Sequence, residues 1–78
     1  MTKALFFQTI EKRLKDLTEE VEEMKNDKEL DNACRRAKKN ILFGRLIELR
    51  SINSIGMHVD YWRYIQLDEK IRAVMDSI

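Results

Sequence analysis

The sequence predicts an all-α fold: a three-helix bundle built on a helical hairpin, with heptad-patterned helices and a dimeric assembly. Three observations carry this expectation. The 78 residues include no proline and only two glycines, Gly44 and Gly56, so little interrupts a helix. Apolar residues make up 44% and charged residues 37%, enough for a packed seam and unlike a disordered chain. Apolar positions recur at alternating +3 and +4 spacings in the first and last thirds of the chain, which places them on one helix face.

The first helix is expected over about residues 2–25. Phe7, Ile10, Leu14, Leu17, Val21 and Met24 form its a/d stripe, the helix-pairing seam, and Leu5 and Phe6 widen it at the start. With only about two and a half heptads, such a seam is marginal as an isolated coiled coil. The stripe leaves parallel and antiparallel pairing both open.

Asn26-Asp27-Lys28-Glu29 is the expected break. Asn26 followed three residues later by Glu29 resembles a capping box, and Asp27 or Asp31 offers another cap. A single helix from residue 4 to residue 52 is the competing reading, since neither Gly nor Pro marks the break.

The second helix is expected over about residues 29–52. At about 100° per residue, Leu30, Ala33, Cys34, Ala37 and Ile41 share one side, and Arg35, Arg36, Lys38 and Lys39 lie on the other. Beyond Ile41, Leu42, Leu46 and Leu49 appear on the formerly basic side, flanked by Phe43 and Ile47. The small-residue half is expected to lie close against the first helix. The leucine half then needs another cover: the third helix, a second subunit or a target. Gly44, at the changeover, permits a bend or close approach.

Residues 51–58 read as a connection, with Asn53 and Gly56 as helix stops. The third helix is expected over about residues 59–76, with Tyr64, Leu67, Ile71, Val74 and Ile78 as its stripe. Asp68 offers an alternative start for a separate last helix. Trp62 projects about 160° from Tyr64 and stands off the stripe.

A chain this short is one domain, residues 1–78, and its core alone gives marginal stability. Small domains usually add a disulfide, a metal or a second chain. Cys34 is the single cysteine and His58 the single histidine, so neither an internal disulfide nor a structural zinc site is expected. That leaves a second chain, and a homodimer is expected. No run of about 18 apolar residues exists to span a membrane, the N-terminus lacks a secretory pattern, and a lone thiol suits a reducing compartment. The expected localisation is cytoplasmic.

Net charge is +1, but it is unevenly placed: residues 1–31 carry −3 and residues 32–78 carry +4. This reads first as an acidic helix facing a basic one. The rival reading is a nucleic-acid surface made of Arg35, Arg36, Lys38 and Lys39. That surface lacks interleaved aromatics, and its helix is long for a compact helix-turn-helix.

No catalytic set, metal-binding spacing or phosphate loop occurs, so no enzyme, cofactor, metal or small-molecule substrate is expected. Cys34 is expected to be a buried, inert thiol, His58 a solvated loop residue, and Met24, Met57 and Met75 core filler. Tyr61, Trp62 and Tyr64, with Arg63 among them, form the one cluster rich in hot-spot residue types. Trp62 either covers the leucine stripe of the second helix, as its size favours, or anchors a partner. The expected function is a protein-protein interaction module acting as regulator, inhibitor, adaptor or assembly factor. Its partner-binding candidates are Tyr61, Trp62, Leu42, Leu46 and Leu49.

Overall fold

The computed structural model describes residues 2–78. It contains three α-helices packed against each other, α1 (Lys3–Asn26), α2 (Asn32–Asn53) and α3 (Tyr61–Ser77), with a short 3-10 helix, Ser54–His58, between the last two. No strand occurs among the described residues. The molecule is a rod of 42 × 16 × 16 Å. One end, the tip, carries the α1–α2 turn; the other, the base, carries the 3-10 helix.

Each α-helix begins with a side-chain cap that satisfies one of the free N–H groups of its first turn. Thr2 Oγ1 accepts from Leu5 N at 3.2 Å, Asp31 Oδ1 from Cys34 N at 2.7 Å, and Asp60 Oδ1 from Arg63 N at 3.3 Å. α2 therefore starts at Asn32, three residues later than the expected residue 29, with Asp31, one of the caps the sequence offers, in place of Asn26. Asp27 Oδ1 instead accepts from Glu29 N at 3.1 Å and holds the turn. The break is real, and the single-helix alternative falls.

Ion pairs fix the helix directions. Arg45 on α2 meets Glu20 on α1 at 3.5 Å, making the pair an antiparallel hairpin. At the base, Lys3 meets Asp60 at 3.1 Å and Arg63 meets Glu11 at 2.8 Å, so α3 starts beside the start of α1 and runs parallel to it. The 17 residues of α3 span about 25 Å, so the tip is a two-helix structure.

All six stripe residues of α1 are buried, together with Leu42, Leu46 and Leu49 of α2 and Leu67 and Ile71 of α3. Leu42, Leu46 and Leu49, expected to face a partner, are covered by the chain's own helices. Ala33, Cys34, Ala37 and Ile41, expected to press against α1, are exposed. The reason lies in one continuous face. Arg35, Lys39, Leu42, Leu46, Leu49 and Asn53 follow one another at +4, +3, +4, +3, +4, an unbroken heptad stripe with polar ends. Leu46 sits at its middle with no exposed surface.

At the tip this face is given to Arg35, whose guanidinium donates to Met24 O at 2.7 Å and Asp27 O at 2.6 Å. These carbonyls lie at the C-terminal end of α1, where Met24 O otherwise accepts only a long bond from Asp27 N at 3.4 Å. Satisfying them outweighs burying two alanines and a thiol, whose apolar surface is small.

At the base, Asn53 is fully buried; its Nδ2 donates to Tyr64 O at 3.1 Å, while its Oδ1 has no hydrogen-bond partner among the described residues. A polar residue at a seam position costs stability and fixes the register of its neighbours. Beside it, Gly56 is buried against Phe7. A Cβ there would stand 2.8 Å from Phe7 Cε1 and 3.1 Å from Phe6 Cε1, so the backbone approaches these rings more closely than any side chain permits.

The stripe on α2 makes a direct prediction. Leu46→Ala lowers unfolding free energy by about 3 kcal/mol through cavity formation, whereas Ile41→Ala changes it by less than about 0.5 kcal/mol. Equilibrium urea denaturation of the two variants checks the contrast; equal losses would move Ile41 into the core.

Candidate functional site

Large exposed apolar residues are unevenly distributed. Leu5, Ile55, Met57, Val59, Tyr61 and Trp62 all lie at the base, and Trp62 is 74% exposed. The local sequence explains this crowding. The 3-10 helix buries Gly56 against Phe7. Its remaining apolar side chains then point outward. Asp60 next starts α3, and the α3 stripe turns Leu67 and Ile71 inward. Trp62 falls nearly opposite Tyr64 and cannot reach the bundle interior.

Trp62 therefore does not cover the leucine stripe of α2, because α1 and α3 already do. Met57 is likewise exposed rather than core filler, while Met24 is buried and Met75 half-buried. The aromatic rings form a chain: Tyr61 stands edge-on to Trp62 at 5.7 Å and tilted to Tyr64 at 6.1 Å.

A second feature runs along the junction of α2 and α3. Arg50 Nε donates to Asp68 Oδ1 at 2.8 Å, and Arg72 Nε lies 3.1 Å from Asp68 Oδ2. The Asp68 side chain is only 13% exposed. Two guanidiniums thus share one nearly buried carboxylate, and hydrogen bonding to Asp68 pushes the Arg50 pKa up. Beside this triad lies a shallow cavity of about 340 Å³ whose lining includes Ile47, Tyr64 and Met75. Nothing in the sequence patterning pointed to Asp68 as a buried residue, since a carboxylate next to Leu67 reads equally well as a helix start.

The basic quartet is spread out. Arg35 is occupied by the end of α1. Lys38 lines the α1 side of α2 together with Ile41 and Arg45. Lys39 and Arg36 lie about 100° and 160° further round the helix from Lys38. The exposed Cys34 and His58 sit at opposite ends of the rod, so they cannot act on one substrate. Among the described residues no group of three or more His, Cys, Asp or Glu side chains is placed to hold a metal ion, and no helix is long and apolar enough to cross a membrane.

Asp31 and Asp60 have lowered pKa values. Hydrogen bonding from Cys34 N–H is the main cause for Asp31; for Asp60 it is the Lys3 ammonium, then the Arg63 N–H. No protein-family model matches the chain, and neither a curated protein nor a solved structure matches it.

A carboxylate with a depressed folded-state pKa stabilises fully above its unfolded value, about 3.9, and loses that contribution as pH falls towards the lowered value. Asp60→Asn keeps a good cap but removes the charge facing Lys3. The variant melts below the wild type at pH 7, and the gap closes between about pH 4 and the lowered pKa. Thermal denaturation monitored by circular dichroism across that range measures it; a gap unchanged at pH 2.5 contradicts the assignment.

Proposed function

We propose that this chain is a non-enzymatic binding module that captures a protein partner through the apolar base of the bundle. One observation carries the reading: Trp62 is 74% exposed amid other exposed apolar residues, although the core is already complete without it. Single exposed apolar residues are ordinary, but contiguous apolar surface on the order of several hundred Å² marks an interaction site. Tyr61 and Trp62, in edge-on contact, form the centre of such surface, and Leu5, Ile55, Met57 and Val59 add exposed apolar area at the same end of the rod. The neighbouring charges are paired, Lys3 with Asp60 and Arg63 with Glu11, so the patch is apolar at its centre with a polar, nearly neutral rim. That is the anatomy of a protein-protein interface.

The module would serve as a regulator, inhibitor, adaptor or assembly factor, with Trp62 and Tyr61 as anchors. A homodimer through the same patch is the alternative occupant. The leucine stripe of α2 no longer argues for a second copy, since the chain buries it alone. Nucleic acid remains a second reading on Arg36, Lys38 and Lys39, weakened because Arg35 is engaged and Lys38 turns to the α1 side, about 100–160° round α2 from the other two.

Trp62→Ala should leave the unfolding free energy within about 0.5 kcal/mol of wild type. It should weaken partner capture by about 2 kcal/mol, roughly thirtyfold. Urea unfolding and a titration against the protein recovered on a wild-type affinity column measure the two quantities. Sedimentation velocity of the variant separates the occupants: a wild-type dimer that becomes a monomer on Trp62→Ala makes the second copy the partner. Wild-type binding by Trp62→Ala eliminates the base as the site.

A further inference from the structure

We propose that the α2/α3 face is a docking groove for an acidic amphipathic helix of a partner protein. This surface adjoins the base at Tyr64 and runs from there towards the tip, on a different face from Trp62, which projects about 160° away from Tyr64.

The α3 edge of α2 is marked by Arg50, which reaches across to Asp68. Arg36, Lys39, Phe43 and Ile47 all project within about 60° of Arg50. They run back from it at −3, −4, −4 and −3 along the helix, with half-buried Lys39 shared between this edge and the inward stripe. Phe43 and Ile47 are exposed by 39% and 46% despite the bundle beside them. The bonds Arg50–Asp68 and Asn53–Tyr64 set the antiparallel register. In that register Phe43 stands level with Met75, and α3 ends about level with Lys39. Arg36 therefore lies beyond α3, on the two-helix tip.

The charge of this face selects the partner's chemistry. It holds four cations, Arg36, Lys39, Arg50 and Arg72, and one carboxylate, Asp68, already shared by two guanidiniums. The other carboxylates along α3, Glu69 and Asp76, project about 100° and 80° round that helix from Asp68, on the outer side of Arg72. Cations surround an apolar centre of Phe43, Ile47 and Met75: Arg36 and Lys39 towards the tip, Arg50 towards the base, and Arg72, level with Leu46 in the same register, along its α3 side. A helix lying in this groove would seat apolar side chains one turn apart over Phe43 and Ile47, and carboxylates on either side would meet the cations. Phosphates gain nothing from covering the apolar centre, which disfavours nucleic acid here.

Fluorescence anisotropy of the full chain with a labelled synthetic helical peptide tests this. The peptide carries Leu at heptad a/d positions and Glu beside them; its counterpart carries Lys in place of Glu. The expected result is saturable binding of the Glu peptide, weakened at least tenfold in the Phe43→Ala/Ile47→Ala double variant. Arg36→Glu/Lys39→Glu should weaken it similarly, Trp62→Ala should leave it unchanged, and circular dichroism should show each variant folded. Absence of Glu-peptide binding, equal binding of the Lys peptide, or displacement by duplex DNA or RNA would overturn the proposal. A loss on Trp62→Ala matching the Phe43/Ile47 loss would also overturn it, by moving the peptide to the base.

Discussion

α1 and α3 both close on the same inward face of α2, and that shared face organises the molecule. Leu42, Leu46 and Leu49 fill the space between the other two stripes, and no surface of Leu46 reaches solvent. Because the stripe alternates +3 and +4 without a break, both neighbours can pack along it, in keeping with the 42 × 16 × 16 Å rod. This is the packing that heptad spacing produces in bundles. The rod-like shape follows from it, as does the single-chain character of the core.

The ends of that face are polar, and each polar end determines what surrounds it. Arg35 turns the tip into a cap on the last carbonyls of α1, so a two-helix end needs no third helix to complete its hydrogen bonding. Asn53 ties α2 to the Tyr64 carbonyl at the base. That bond, made by a fully buried side chain, opposes sliding of α3 along α2. Gly56 adds a steric stop, because Phe7 closes directly on its backbone. Register and direction are thus set at the base by specific atoms, while the middle supplies apolar burial.

Residues whose chemistry matches their position were legible in the sequence. The stripes of α1 and α3 are apolar throughout and mark their own buried faces. The face of α2 was misread for one physical reason: its tip positions hold Arg35 and Lys39, so periodicity in hydrophobicity favoured the small residues Ala33, Cys34 and Ala37. An arginine can occupy a seam position when helix-end carbonyls wait for it, and that depends on where α1 stops, a tertiary fact. The base patch was half legible. Tyr61 and Trp62 stood out by residue type, but the exposure of Ile55, Met57 and Val59 follows from Gly56 docking on Phe7, which no spacing rule encodes. The Arg50–Asp68–Arg72 triad was not legible, since its members come from two helices whose register Asn53 fixes.

An odd number of helices separates the two ends of the chain. Thr2 begins beside the apolar base, while α3 carries Ile78 away from it along the rod. A purification handle or immobilisation linker placed before Thr2 would sit at the base and obstruct its apolar surface. The same handle after Ile78 would present the base to solution, so the side of attachment decides whether a capture experiment sees a partner at all.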